Sequence, residues 1–388
     1  MPIWLNDLGI VSALGVGHQQ TIDSINAQQS NTLTLTNELA FAGRATYVGM
    51  VKTLPLSATL RTYSLIDAAL AQIKPTLAQF NVPEQRIAVV IGTSTASIHE
   101  GERARMELKQ ADSWPDKYNY NDQTLVAPAD YIAKQLNATG PCYSISTACS
   151  SSSKAMISAR ALLLADLADV VICGGVDSLC QLTVNGFDSL SSISDEVCQP
   201  FALTRIGINI GEGAALFVMS KKRNQQNSVA FLGGGESSDA HHISAPAPDG
   251  SGAEQAMRAA LNDANLPAEA IDYINAHGTA TAQNDAMESL AINRVFGNNT
   301  PVSSSKHLSG HTLGAAGAIE AGICWLSLIN HDFVTTLPFN TGEQDPALGE
   351  IALLTSPFIK PLKYCLSNSF AFGGNNVSVI LGLIDEQL

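Results

Sequence analysis

A cysteine set among small hydroxyl residues is the first candidate for chemistry. Cys149 lies in residues 144–154, which read SISTACSSSSK, directly before an apolar pattern with helical spacing. A cysteine between a strand and a helix faces unpaired backbone N–H groups and the positive end of the helix dipole, which favour thiolate over thiol. The sulfur could attack a carbonyl carbon, and the N–H groups could stabilise the oxyanion. The alternative is a buried structural cysteine followed by a serine-rich loop.

Two histidines stand next to glycines later in the chain. His277 lies in NAHGTAT, residues 275–281, after an apolar segment that predicts the end of a buried strand, where open α/β sheets place their ligand crevices. His311 lies in SKHLSGHTLGAAG, residues 305–317, before a run of small residues that lets a helix pack closely. Either histidine alone can equally be a satisfied core or turn residue.

Three charged residues accompany the histidines. Asp285 and Glu288 follow the first histidine loop with the spacing of one helix face, and Lys306 precedes the second histidine. They are either ordinary solvated charges or a set that pairs and holds the two histidine loops together.

The cysteine and the two histidines are also of the residue types that bind zinc. Their spacing is not that of a metal site, and the flanking glycines suit the close approach of a substrate better. We therefore expect no bound metal.

Strand-like and helical segments alternate along the chain and would position these residues. Apolar, β-rich runs at 86–92 and 168–175 each stand beside a segment of helical period, which predicts α/β layers with buried strands. Two glycine turns that lead into apolar strands, at 207–219 and 369–382, are alike and indicate two related halves. The polar stretch at 221–227 is a natural linker. We predict an N-terminal half over 1–224 with the cysteine and a C-terminal half over 225–388 with both histidines.

Composition and charge narrow the class of protein. The 388 residues are 45% hydrophobic, as expected of a globular protein with a sizeable core, and the formal net charge of −14 argues against binding to nucleic acid. No apolar run is long enough and free enough of charge to span a bilayer, and the N-terminus lacks a basic targeting segment, so we expect the mature chain to start near Met1. Seven cysteines without a CxxC pair favour a reducing, cytoplasmic location.

Four segments of the sequence form a set, namely TACS at 147–150, NAHGTAT at 275–281, Lys306 with SGHTLGAAG at 309–317, and NSFAFGGN at 368–375. In their order and spacing these segments resemble the β-ketoacyl-acyl carrier protein synthases of the elongating Cys-His-His type. The resemblance extends over nearly the whole chain, through GIVSALG at 9–15, QPFALTR at 199–205 and GEG at 211–213.

The resemblance implies a fold, a reaction and a dimer. The family has the thiolase-like α/β fold, in which two related βαβαβαββ halves form a five-layered αβαβα core. Cys149 would accept an acyl chain from acyl carrier protein as a thioester. His277 and His311 would donate hydrogen bonds to the enolate that remains when malonyl-carrier protein loses carbon dioxide. The carbanion would attack the thioester in a decarboxylative Claisen condensation, with the N–H groups of Cys149 and Phe372 on the oxyanion.

Supporting roles follow from the same resemblance. Lys306 and Glu288 would form an organising ion pair, and Asp285 would support their loop. Phosphopantetheine would arrive on the carrier protein, with no cofactor bound permanently. The residues that contact substrate would be Thr279 and Thr281 on the pantetheine arm, Phe370, and Phe372 as a gate to the acyl pocket.

Some features depart from the common fatty-acid pattern. The chain is compact, a serine run occupies 150–153, and His307 stands beside the lysine. Short ketosynthases of this look occur in aryl polyene and related pigment pathways, where an active member can pair with a catalytically dead chain-length partner. Because Cys149 is present, this chain resembles the active member, in a homodimer or in a heterodimer with a chain-length factor. The resemblance implies a role in fatty acid synthesis or in specialised polyene or polyketide synthesis.

Docking of an acidic carrier protein on so acidic a chain would need a local basic patch. Arg103, Arg105 and Lys109 are candidates, and a solvated helix face is the alternative explanation.

Three other functions remain open on the residues. A thiolase uses coenzyme A thioesters and a second catalytic cysteine in a C-terminal glycine loop, and here that loop, FAFGGN at 370–375, has none. A non-catalytic, chain-length-setting partner would be expected to lack Cys149. A hydrolase using Cys149 and one histidine would leave the second histidine loop and the lysine without a role.

Overall fold

Strands and helices alternate along the computed structural model, which describes residues 2–27, 32–54, 60–224, 227–330, 337–340, 342–358 and 360–384. The strands are β1 (Ile3–Ser12), β2 (Gly15–Val16), β3 (Thr34–Thr36), β4 (Thr46–Val48), β5 (Ile87–Gly92), β6 (Cys142–Ile145), β7 (Val170–Asp177), β8 (Gly213–Ser220), β9 (Val229–Ser238), β10 (Tyr273–Asn275), β11 (Pro301–Ser303), β12 (Ala352–Leu353), β13 (Tyr364–Ala371) and β14 (Asn375–Gly382). The helices are α1 (His18–Ala27), α2 (Arg61–Ala78), α3 (Ile98–Ala111), α4 (Ala127–Leu136), α5 (Ser151–Leu164), α6 (Gln181–Ser189), α7 (Ser251–Ala264), α8 (Ala282–Phe296), α9 (Lys306–Ser309) and α10 (Ala316–Ile329).

Two sets of strands repeat the same order within the main sheet. The N-terminal set runs β6-β5-β7-β8-β1 and the C-terminal set runs β11-β10-β13-β14-β9, with β12 beyond β11 and β1 beside β9. In each set the first three strands are parallel, and the next two are antiparallel to their neighbours. The chain order in each set is βαβαβαββ, through α2, α4 and α5 in one and α7, α8 and α10 in the other. The prediction of two related halves is confirmed.

The two glycine turns that suggested the repeat lead into β8 and β14. These strands hold the same place in the two sets. The boundary predicted between 224 and 225 falls between β8 and β9. Residues 225 and 226 lie outside the described residues, and this boundary stays a prediction.

Helices α5 and α10 form the central layer. They contact each other and strands of both sets, while α2 and α4 cover the outer face of the N-terminal set and α7 and α8 cover that of the C-terminal set. Residues 316–326 of α10 are all buried, which explains why this helix is apolar all round. Because α5 and α10 lie between the two sets of strands and the other helices cover the outer faces, the layers follow the predicted αβαβα order.

No helix in the described parts of the chain is long and apolar enough to cross a membrane.

The parallel strands bring the candidate residues to one region of the molecule. The carboxyl ends of parallel neighbours meet at one edge of a sheet. The loops after β5, β6 and β7 come from the N-terminal set, and the loops after β10, β11 and β13 come from the C-terminal set. The cysteine follows β6, the first histidine loop follows β10, and the lysine follows β11.

Candidate active site

Cys149 lies at a sharp turn between β6 and α5. The residue before it, Ala148, has a φ of 51°, in the left-handed region that residues other than glycine rarely adopt. Ser151 holds this conformation, because its backbone N–H and Oγ donate to the Ala148 carbonyl at 3.1 and 2.5 Å and its Oγ accepts from the Thr147 N–H at 2.9 Å. Ser94 Oγ donates to the same carbonyl at 3.2 Å. The turn therefore fixes the sulfur at the N-terminus of α5.

The serine run that follows is a packing surface between the halves. All four serines at 150–153 are buried. Ser152 Oγ accepts from the Ala318 N–H of α10 at 2.9 Å, and Ser153 Oγ lies 2.9 Å from Ser369 Oγ of β13. Small hydroxyl side chains thus allow close approach and supply hydrogen bonds where the two halves meet.

Both candidate histidines lie beside the cysteine. His311 Nε2 is 3.0 Å from Cys149 Sγ, and the imidazoles of His277 and His311 form an edge-to-face pair with centroids 5.3 Å apart. The three side chains are buried. His311 is also held by its backbone, whose N–H donates to the Asn209 carbonyl at 2.7 Å and whose carbonyl accepts from the Gly211 N–H at 2.8 Å. Residues far apart in the chain thus form one cluster.

Lys306 lies behind His277, but its predicted ion-pair partner is wrong. The ammonium donates to the His277 carbonyl, lies 3.4 Å from His277 Nδ1, and forms its ion pair with Glu320. Glu288 instead accepts the backbone N–H groups of His277 at 2.8 Å and Gly278 at 2.7 Å. The physical reason is the position of α10, which brings Glu320 to the lysine, while the carboxylate of Glu288 faces the loop before its own helix.

Glu320 is a site residue that the sequence interpretation missed. In the sequence it is the one charged residue of the apolar run at 315–329. Its side chain is 2% exposed, and that of Lys306 is 1% exposed. A single carboxylate inside an otherwise apolar helix must find a partner when it is buried, so the signal was available.

Asp285 supports two strained backbone positions. Its carboxylate accepts the N–H groups of Phe201 at 2.7 Å and Ala280 at 3.2 Å. These residues have φ values of 61° and 63°, which non-glycine residues adopt only where the surroundings hold them. Arg205 lies 4.0 Å away and pairs with Asp345 at 2.6 Å. The structure therefore places Asp285 next to the His277 loop, as a backbone anchor.

Burial sets the protonation of the cluster. It raises the pKa of the Cys149 thiol to about 12, although Lys306 and the Phe372 N–H act in the opposite direction. Burial and then Lys306 lower the pKa values of His277 and His311 well below the ordinary value. At neutral pH the sulfur thus carries its proton and both imidazoles are neutral. The expectation that the helix start would favour thiolate is not met, because desolvation outweighs it.

One cavity of about 340 Å³ leads to the cluster. Cys149 is 5% exposed at its inner end, whereas Leu190 and Ile206 are 50% and 57% exposed at its mouth. The rings of Phe187 and Phe372 lie 5.3 Å apart in its wall. All four residues predicted to contact substrate line this cavity, namely Thr279, Thr281, Phe370 and Phe372.

The predicted basic patch lies on α3, away from this cavity. Arg103 pairs with Glu100 at 3.7 Å, and neither Arg105 nor Lys109 lines the cavity. Its role in docking stays a prediction.

The cluster also has the donor types of a zinc site. One ligand atom each from Cys149, His277 and His311 lie within 4.8 Å of one another. The sulfur and His311 Nε2 already form a hydrogen bond with each other, at 3.0 Å. The expectation of no bound metal stays a prediction.

Comparison with known proteins identifies the family. A family model described as "Beta-ketoacyl synthase, N-terminal domain" matches residues 56–225, and one described as "Beta-ketoacyl synthase, C-terminal domain" matches residues 230–340. The chain belongs to the β-ketoacyl synthase family. The resemblance inferred from the motifs is thereby confirmed.

Similar β-ketoacyl synthase relatives include proteins of several organisms. Nodulation protein E of Rhizobium meliloti is 36% identical over 259 residues, which are 64% of this chain and 64% of that protein. The chain thus matches less than two thirds of the length of this relative. The 3-oxoacyl-[acyl-carrier-protein] synthase 2 of Staphylococcus aureus is 31% identical over 323 residues, 78% of this chain and 79% of that one.

Solved structures of β-ketoacyl synthases share the fold. The ketosynthase ApeO in complex with its chain length factor ApeC, from Xenorhabdus doucetiae, matches with a TM-score of 0.93 and 40% identity, covering 99% of this chain and 98% of that chain. A β-ketoacyl synthase from Burkholderia phymatum matches with a TM-score of 0.86 and 26% identity over 99% and 100% of the two chains. The thiolase-like fold expected from the sequence is confirmed.

Proposed function

We propose that this chain catalyses the decarboxylative Claisen condensation of an acyl group held on Cys149 with malonyl-acyl carrier protein, giving 3-ketoacyl-acyl carrier protein. One observation carries the proposal: Cys149, His277 and His311 meet at the closed end of one cavity. A nucleophile and two neutral imidazoles are the groups that thioester exchange and enolate formation require.

The first half-reaction loads the acyl group. Cys149 Sγ attacks the carbonyl carbon of the acyl thioester, and His311 Nε2, 3.0 Å away, is the base within reach of the thiol proton. The N–H of Phe372 faces the sulfur and, with the N–H of Cys149, stabilises the oxyanion. The carbonyl re-forms, the pantetheine sulfur leaves with the proton, and the acyl group stays on the enzyme.

The second half-reaction makes the new carbon–carbon bond. The malonyl thioester loses carbon dioxide, and the electron pair of the broken bond forms an enolate. Its oxygen accepts a hydrogen bond from His277 Nε2 and one from His311 Nε2, after His311 has taken the tautomer that carries its proton on that nitrogen. Neutral imidazoles can donate here without a prior proton gain. Lys306, 3.4 Å from His277 Nδ1, occupies that nitrogen and leaves Nε2 to carry the proton. The enolate carbon attacks the thioester carbonyl carbon, the bond to Cys149 Sγ breaks, and the released thiolate takes up one proton from solvent to return to the thiol.

The substrates would arrive on acyl carrier protein. The cavity of about 340 Å³ would receive the phosphopantetheine arm, and the hydroxyls of Thr279 and Thr281, which lie 2.9 Å apart in its wall, would form hydrogen bonds with that arm. Phe372 would act as the gate to the acyl pocket, and Phe370 would contact the substrate. The chain would need no cofactor of its own.

A second ketosynthase-like subunit would complete the enzyme. β6, which leads to Cys149, pairs with β5 on one side and ends the sheet on the other, and all four of its residues are half-buried. Such an edge strand favours pairing with another chain. The solved relative ApeO is in complex with its chain length factor. We therefore propose a heterodimer with a chain-length factor, in a specialised polyene or polyketide pathway. Co-expression with such a partner followed by mass measurement of the complex tests this against a homodimer.

The alternative functions lack a supporting observation. A thiolase would need a cysteine in the 370–375 loop. Cys365 instead lies in the core, where its thiol forms a hydrogen bond with the free thiol of Cys324. A non-catalytic chain-length partner would have no use for the assembled cluster.

The seven free cysteines support the proposal of a cytoplasmic location, because thiols stay reduced in that compartment.

The test supplies malonyl- and acyl-carrier protein to the purified protein and its partner. Carbon dioxide release and a 3-ketoacyl product are expected, and both should disappear in Cys149→Ala. Cys365→Ala, which removes a buried thiol of β13, is the matched control and should keep full activity. Undiminished condensation by Cys149→Ala would overturn the proposal.

A further inference from the structure

Asp177 is a buried carboxylate to which the reaction above gives no role. It is the last residue of β7 and is fully buried. Its Oδ1 accepts the hydroxyls of Thr93 at 2.6 Å and Thr95 at 2.9 Å, and the Thr95 N–H at 2.8 Å. The Ser94 N–H is 3.0 Å from both carboxylate oxygens, and the Gly314 N–H is 2.6 Å from Oδ2. One side chain thus anchors two loops.

The two loops belong to different halves. Residues 93–95 follow β5 of the N-terminal set, and Gly314 follows His311 in the C-terminal set. Ser94, bonded to Asp177 by its N–H, also donates its hydroxyl to the Ala148 carbonyl beside the nucleophile, at 3.2 Å. The carboxylate is therefore connected to the cysteine turn on one side and to the histidine loop on the other.

Both connected segments contain strained backbone. Ala148 and Leu313 have φ values of 51° and 53°, which residues other than glycine adopt only where surrounding contacts hold them. Leu313 stands directly before the glycine that Asp177 binds. A Cβ on Gly314 would lie 2.7 Å from Asp177 Oδ2 and 2.6 Å from the Ser94 nitrogen, so the loops have no room to shift.

The carboxyl of Asp177 is the acceptor in all of these contacts. The donors are two threonine hydroxyls and three backbone N–H groups, and the N–H groups cannot accept a proton. Burial raises the pKa of Asp177 above its ordinary value, and the hydrogen bonds oppose that shift. Replacing one carboxyl oxygen by an amide NH₂ would therefore disturb several donors at once.

We propose that Asp177 is a positioning residue that sets the distance between Cys149 and His311 across the junction of the two halves. This inference rests on the proposed condensation, because the distance matters only if the histidine acts on the cysteine and its substrate. The carboxylate touches neither substrate nor reacting atoms.

The test compares Asp177→Asn with Asp272→Asn in the complete enzyme with its partner. Asp272 also accepts two backbone N–H groups, those of Lys363 at 2.8 Å and Tyr364 at 3.0 Å, but it lies at the other end of β10 from the histidine loop. Asp177→Asn keeps the size of the side chain and places an amide NH₂ among donors. We expect kcat to fall about 100-fold, as for a misplaced catalytic group, with an unchanged KM for malonyl-carrier protein. Asp272→Asn should keep the kcat of the wild type.

Gly314→Ala tests the same contact from the other loop. It should lower kcat as Asp177→Asn does, and the double variant should lose little more than either single variant, because both disrupt one connection. Should Asp177→Asn fail to fold, Gly314→Ala and the milder Thr95→Val decide the question by the same split between kcat and KM. A merely structural role would lower thermal stability and leave the kcat of folded enzyme unchanged.

Three results would overturn the proposal. These are a wild-type kcat in Asp177→Asn, an equal loss in Asp272→Asn, and additive losses in the double variant. Failure of the proposed function would show separately, as absence of condensation by the unaltered enzyme.

Discussion

At the residue scale, the local backbone and the surrounding protein act in opposite directions on the Cys149 thiol. The start of α5 favours the thiolate, but burial dominates and raises the pKa to about 12. The proposed nucleophilic attack therefore depends on a base within reach, and among the described residues the basic side chain that hydrogen-bonds the sulfur is His311, at 3.0 Å. The two histidines thus have different geometric relations to the same atom.

The two histidines should separate the two half-reactions. Because His311 and not His277 contacts the sulfur, His311→Ala should slow acylation of Cys149 by about 100-fold or more, while His277→Ala should still acylate and should lose malonyl decarboxylation. Intact-mass kinetics measure the first step, and carbon dioxide release measures the second. His241→Ala, at an exposed position, is the control. Equal acylation rates in the two active-site variants would contradict this division.

Breaking the buried Lys306–Glu320 pair should lower the stability of the protein strongly, whereas replacing both residues by apolar ones should lower it little. Lys306→Met leaves a carboxylate unpaired in the core and should destabilise the protein by about 3–5 kcal/mol. Adding Glu320→Leu removes that carboxylate, so the double variant should recover most of the loss while remaining inactive. Urea unfolding measures both. Lys360→Met, at a lysine that is 61% exposed, should change stability by at most about 1 kcal/mol. A double variant less stable than Lys306→Met would refute this account.

At the scale of elements, the close approach of α5 and α10 determines which residues fit. The serines at the start of α5 bond α10 and β13. Gly317 of α10 has no space for a side chain, because a Cβ would lie 2.0 Å from Ser153 Oγ and 2.7 Å from Ser369 Oγ. The two helices therefore pack against each other and hold the loops that carry Cys149 and His311. Their small residues are required because the helices lie so close together.

Gly317→Ala should destabilise the protein by about 1–3 kcal/mol through overpacking. Removing the opposing hydroxyl in Ser153→Ala should recover part of this loss in the double variant. Gly186→Ala in α6 is the matched control, because a Cβ there meets nothing within 4 Å. The control should be neutral or stabilising by up to about 1 kcal/mol, since alanine favours helix more than glycine does. Thermal unfolding of the four proteins decides, and equal effects at 317 and 186 would exclude overpacking.

At the scale of the whole molecule, several titratable groups are buried near the junction of the two halves. Burial raises the pKa values of Glu288 and Glu320 to about 7 and that of Asp285 to about 6. It lowers the pKa of His307 to about 4. Carboxyls of this kind contribute stability at low pH and lose it as pH rises toward 7, whereas the histidine acts in the opposite direction. Stability as a function of pH therefore reports on the junction.

His307 gives the simplest test. Below about pH 6.5 the unfolded chain binds a proton at this histidine, but the folded chain does not until about pH 4, so folding loses about 1.4 kcal/mol per pH unit in this window. His307→Gln removes this loss. Between pH 7 and pH 4.5 the variant should therefore lose about 2–3 kcal/mol less stability than the wild type. Urea midpoints at the two pH values measure the difference, with His241→Gln as an exposed control. If the stability of His307→Gln and of the wild type fell in parallel with pH, the predicted contribution of His307 would be ruled out.

Most of the fold and the three residues of the buried cluster could be predicted from the sequence. The alternation of strands and helices and the likeness of the turns before β8 and β14 indicate the repeat, because both are local patterns. Cys149, His277 and His311 stand in motifs whose residue types and order are enough to indicate their chemistry. Only the structure shows that Asp285 and Glu288 accept backbone N–H groups, and that Thr279 and Thr281 line the cavity.

Only the tertiary structure decided which side chains pair with each other and which protonation state each titratable group has. The ion pair of Lys306 joins residues 14 positions apart, and Asp177 binds an N–H 137 positions away, so neither contact has a local sequence signature. The high pKa of the Cys149 thiol has the same origin. The chemical identity of each side chain is a property of the sequence, but its partners and its desolvation arise only when the two halves pack around α5 and α10.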